Sequence, residues 1–76
     1  MMQLADILIH VNESLPVAEQ DSLEDRLRQV EGVIAPRFSD EKPHLLLVSY
    51  DAGVADTTHL LRQVEAGGYT AQLVGM

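Results

Sequence analysis

Three histidines, three methionines and two pairs of adjacent carboxylates carry whatever ligating or proton-transfer chemistry this chain has. There is no cysteine. Disulfides, thiolate metal sites and thiol nucleophiles are therefore removed together. His10, His44 and His59 are metal ligands or proton carriers by type. Met1, Met2 and Met76 carry thioethers, which suit Cu(I), but they sit at the two termini, where chains fray. Glu24-Asp25 and Asp40-Glu41 fit a solvated helix face and a polar turn. With no cleft to raise a carboxyl pKa, neither pair reads as an acid–base couple, so no catalytic residue is assigned. Gly67-Gly68 follows a helix rather than opening one, so it is not a phosphate loop.

The elements that position these residues follow from the hydrophobic period. Leu4 to Val11 alternates as a strand, with Ile7, Ile9 and Val11 on one face and Leu8 and His10 on the other. From about Leu15 to Glu31 the period becomes helical, with Leu23, Leu27 and Val30 in one stripe. Ser14 is the expected N-cap, Pro16 suits the first turn and Gly32 is the stop. Val33 to Ser39 reads as a second strand, placed at a sheet edge by Pro36. His44 to Tyr50 is a third strand. Asp56 caps a second helix, Thr57 to Ala66, with Leu60, Leu61 and Val64 inward. Gly67-Gly68 ends it, one glycine in the left-handed conformation, and Tyr69 to Val74 is a fourth strand.

The order βαββαβ is the split βαβ pattern of the ferredoxin-like fold, an α+β class. Right-handed crossovers place both helices on one face of a four-stranded antiparallel sheet in the order 4-1-3-2. The other face is left open. Strand parity then puts His10 on the open face and His44 on the helix side, which would keep them apart, with His59 at the far pole. The open face would carry Leu8, His10, Leu45, Leu47 and Ser49, flanked by Ala35, Arg37, Thr70, Gln72 and Val74. A wet antiparallel face is normally polar, so three leucines at its middle mark an interaction surface.

Composition bounds the rest. The chain has 76 residues, which predicts a single domain over residues 1–76. Twelve acidic residues against five Lys and Arg give a net charge of −7, which excludes nucleic acid and anionic membranes as natural partners. The longest apolar run, Leu45–Val48, is too short for membrane insertion. The start MMQLADILIH has no basic region, so no signal peptide is expected and the location is cytoplasmic. Glu13, Glu19, Asp21, Asp40 and Glu41, with Tyr69 beside them, would make one pole acidic and suited to a basic partner.

Leu23-Glu24-Asp25-Arg26-Leu27 with Val30-Glu31-Gly32-Val33, then Val48-Ser49-Tyr50-Asp51, then Val64 to Val74 in the run VEAGGYTAQLV, occur in an order and spacing that resembles the heavy-metal-associated domain family. That family includes small copper chaperones and the N-terminal modules of metal-pumping ATPases. The resemblance covers nearly the whole chain and implies the ferredoxin-like fold. It also implies a metal-binding GMxCxxC corner after the first strand. Counted back from Gly32, its two cysteines would fall on Pro16 and Glu19, and its Gly and Met on Glu13 and Ser14. None matches, so the implied soft-metal site is not carried over.

The sequence therefore predicts a non-enzymatic, Cys-less domain acting as a protein-interaction module. Its partner is a protein or a second copy, with Leu8, His10, Leu45, Leu47 and Val74 as the interface. No cofactor and no metal ligand is expected. Two alternatives stand beside this: a metal carrier using His, Met or carboxylate ligands, and a small-molecule sensor.

Overall fold

The computed structural model describes residues 2–74. Its elements are β1 (Leu4–Val11), α1 (Val17–Arg28), β2 (Val33–Phe38), β3 (Leu45–Asp51), α2 (Thr57–Ala66) and β4 (Ala71–Val74). The strands form one antiparallel sheet in the order β2-β3-β1-β4, and both helices cover one face. This is the expected 4-1-3-2 order read from the other edge.

The core lies between that face and the helices. Ile9 and Val11 from β1, Leu46 and Val48 from β3, Leu27 from α1, and Leu60 and Val64 from α2 are fully buried. Phe38 and Tyr50 are buried too, as their parity requires. Pro36 stands on edge strand β2 with its ring buried, so its missing N–H leaves no interior ladder bond unmade.

The expected punctuation holds in α2 and differs in α1. Asp56 caps α2, accepting the His59 backbone N–H at 2.7 Å. Gly32 and Gly68 both take the left-handed conformation, at φ 95° and 97°. Ser14 does not cap α1. Pro16 is the N-cap, with extended backbone and no side-chain capping bond, and its carbonyl accepts from Glu19 and Gln20. The helix is shorter at both ends than the expected span from about Leu15 to Glu31. At its C-terminus, Gln29 already turns back to Arg26. Strand β3 begins at Leu45 rather than His44, and β4 at Ala71 rather than Tyr69.

Candidate functional site

Three surfaces hold the residues that the sequence singles out. The first is the corner between β1 and α1. Here Asn12 donates its backbone N–H to the Thr70 carbonyl at 2.8 Å. The Thr70 N–H in turn donates to the Glu13 carboxylate, 2.9 Å from Oε1 and 3.1 Å from Oε2. That backbone donor is the largest influence on Glu13 and lowers its pKa, while desolvation opposes the shift. The corner is thus fastened to the start of β4 by the chain's own groups. Of the expected acidic pole, Glu19, Asp21, Asp40 and Glu41 are exposed, and Tyr69 is half-buried against Gly67.

The second surface is the end of β1, where the sequence reading is corrected. His10 and His44 do not face opposite sides of the sheet. Their rings lie together, centroids 5.5 Å apart and planes 15° from parallel. The parity argument fails because His44 precedes β3, at the last rung of the sheet. It exchanges a bond with Val11, whose N–H donates to the His44 carbonyl at 2.8 Å. The His44 Nδ1–H donates back to the Val11 carbonyl at 2.8 Å, and this folds the ring over the end of the ladder. His10 Nδ1 donates to Asn12 Oδ1 at 3.0 Å. Ser14, freed from capping, places its hydroxyl 3.4 Å from His44 Nε2. The turn at Lys42-Pro43 was the signal that His44 stands outside the regular strand. His59 is exposed on α2 and joins no such group.

The third surface is the open sheet face. The register aligns Arg37, Leu47, Leu8 and Val74 as one row across all four strands. Leu45, His10 and Gln72 form the next row toward the pole. Leu8, Leu45 and Leu47 are half-buried and line an open groove of about 660 Å³ together with Arg37, Phe38, Ser39, Asp40, Glu41 and, from α1, Glu24.

The methionine cluster gains nothing here. Met2 is exposed, and Met1 and Met76 lie outside the described residues. The pair Glu24-Asp25 divides in role. Glu24 is half-buried and accepts the Phe38 N–H at 2.9 Å, a strand-to-helix tie that the sequence reading took for a solvated face. Among the described residues, no three His, Cys, Asp or Glu side chains gather closely enough to hold an ion by themselves.

No family model matches the sequence, and no curated protein does. Solved structures do match. Oxidized MerP from Ralstonia metallidurans superposes with a TM-score of 0.85 at 16% identity, over 96% of this chain and 100% of that one. The N-terminal domain of a potential copper-translocating P-type ATPase from Bacillus subtilis, in its Cu(I)-loaded state, gives 0.84 at 22% identity, over 96% and 90%. A copper-binding domain from the P-type ATPase HMA7 gives 0.83 at 20% identity, over 92% and 93%. Identities this low establish a shared fold.

The chain shares the ferredoxin-like fold of these metal-binding domains. Within that fold, the corner does not fit a soft ion. Pro16 offers no donor atom at the helix start, and Glu19 is an exposed carboxylate on the first turn of α1. Cu(I) is held by thiolate or thioether, and no thiolate exists in the sequence. The fold is shared with these domains, and the sequence contains no cysteine.

Proposed function

We propose that this chain is a non-enzymatic, cytoplasmic protein-interaction module of the heavy-metal-associated fold, working through the open face of its sheet. The observation that carries this reading is the cross-strand row Arg37–Leu47–Leu8–Val74, whose two leucines line an open groove with Leu45. A leucine gains roughly 1.5–3 kcal/mol on full burial, so half-buried leucines on a wet face favour a partner that covers them.

A second copy of the chain is the occupant we favour. A stable interface takes about 800 Å² from each partner, roughly a sixth of this chain's 4757 Å². A two-fold axis over the face pairs a surface with itself, so it needs both charge signs. Arg37 supplies the positive group, and Asp6, Asp40 and Glu41 supply the negative ones. Sedimentation equilibrium tests the reading. The wild type associates with rising concentration, and Leu47→Glu is monomeric with an unchanged circular dichroism spectrum. A wild type that stays monomeric at millimolar concentration, and that loses no partner on Leu47→Glu, refutes it.

The rival reading, a metal carrier with ligands other than cysteine, draws on a different observation, the histidine pair.

A further inference from the structure

We infer that the free edge of β4 pairs with β4 of a second copy, antiparallel about a two-fold axis at Gln72, so that two sheets join into one. The inference does not rest on the sheet-face reading and uses a different surface.

The two edges of the sheet are not alike. The order β2-β3-β1-β4 leaves β2 and β4 each with one strand neighbour. Beyond the end of β2, Ser39 donates its backbone N–H to the Leu45 carbonyl at 2.9 Å, so alternation turns the backbone of Pro36 and Phe38 outward. Neither offers a free donor. Pro36 has no N–H, and the Phe38 N–H is held by the Glu24 carboxylate at 2.9 Å. Such an edge is closed to a further strand. At β4, the Asn12 N–H reaches the Thr70 carbonyl, so Gln72 and Val74 turn their backbone toward β1 while Ala71 and Leu73 turn theirs outward. Among the described residues, no side chain or loop accepts from those two outward N–H groups. Strand β4 carries no proline and no charge, the usual means of protecting an edge.

A second copy is the occupant that fits. A two-fold axis at Gln72 sets Ala71 of each copy opposite Leu73 of the other. Each such pair exchanges both of its N–H···O bonds, so every outward donor finds a carbonyl. Charge points the same way. Each chain carries −7, so two copies meet most easily where neither is charged, and Ala66 to Val74 holds no charged residue. Leu73 is 38% exposed, and a strand laid beside it removes apolar surface from water. The contact is smaller than a sheet face. Leu47→Glu therefore stays monomeric at the concentrations where the wild type pairs through its face, and edge pairing appears above them.

Solution NMR of Leu47→Glu, from micromolar to millimolar, tests the edge without the face contact. As concentration rises, the Ala71 and Leu73 amides shift downfield and exchange with solvent at least about twofold more slowly. At the axis, Gln72 lies directly opposite Gln72 of the second copy. Gln72→Lys and Gln72→Glu, each added to that background, weaken pairing about two- to fivefold through like-charge repulsion, and an equimolar mixture of the two restores it. Leu73→Pro removes an outward N–H and no bond to β1, and it weakens pairing at least about tenfold. Edge amides that ignore concentration overturn the inference. So does a mixture that pairs no more tightly than its parts. Lysine and glutamate effects of opposite sign also overturn it, because they mean a charged foreign strand. Failure of the sheet-face reading leaves these amide responses in place.

Discussion

The Thr70 backbone N–H is donated to the Glu13 carboxylate, across 57 residues of sequence, and so closes the corner between β1 and α1 onto the start of β4. This bond is stronger to a carboxylate than to a carboxylic acid, and the Glu13 pKa is accordingly lowered. A lowered folded-state pKa gives stability that is complete above the unfolded value, about 4.3 for glutamate, and is lost as pH falls through the folded value. Urea unfolding at pH 6 should find Glu13→Gln less stable than the wild type. At pH 3 the difference should shrink. A gap that is constant from pH 6 to pH 3 would show that the carboxylate charge plays no part.

Gly32 and Gly68 share a left-handed backbone and differ in what surrounds them. A Cβ on Gly32 would meet Val54 at 3.0 Å and Ala55 at 3.1 Å, whereas one on Gly68 meets nothing within 4 Å. Gly68→Ala should cost only the conformational term, about 1–2 kcal/mol. Gly32→Ala should cost that and a collision as well, about 2–4 kcal/mol in all. Denaturant midpoints of the two variants give the comparison, and equal losses would remove the role assigned to Val54.

Glu24 and Asp25 are neighbours in sequence with different work. The Glu24 side chain is 17% exposed and accepts the Phe38 N–H at 2.9 Å, tying α1 to the end of β2. Asp25 is 69% exposed and meets only Arg28. Glu24→Ala leaves a part-buried N–H without its acceptor and should cost about 1–3 kcal/mol. Asp25→Ala removes a surface ion pair and should cost less than about 1 kcal/mol. Amide exchange at Phe38 should quicken in the first variant alone.

Most of this fold was legible in residue order. Alternation through Leu4–Val11 placed β1, and Asp56 with Gly67-Gly68 bracketed α2, because these signals are local and tertiary contacts agree with them. The turn of events at the pole was not legible. Parity applies only while both neighbours of a residue are in the ladder, and His44 sits where the ladder ends, with a free choice of direction settled by the Val11 carbonyl. Ser14 has the right chemistry for a cap two residues too early, since Pro16 fixes where α1 begins. Glu24 looked solvated because its partner, the Phe38 N–H, lies on another element 14 residues away.

The corner can be asked directly whether its frame still suits a soft ion. Pro16 has φ −62° and extended ψ, values open to any residue, and Glu19 follows one turn later on the same side of α1. Thiols placed at these two positions would sit at a helix N-terminus, where the dipole favours thiolate. The wild type should lose Cu(I) completely to a competing chelator such as bathocuproine disulfonate. Pro16→Cys with Glu19→Cys should hold it at least about a hundredfold more tightly, since thiolates are the ligands that Cu(I) selects. Loss of His10 and His44 should leave that gained affinity unchanged, because thiolates rather than imidazoles hold Cu(I). Failure of the double-cysteine variant to gain Cu(I) would mean that the Glu13–Thr70 tie holds the corner too closed for an ion. Adding Glu13→Gly to the same variant would then restore binding.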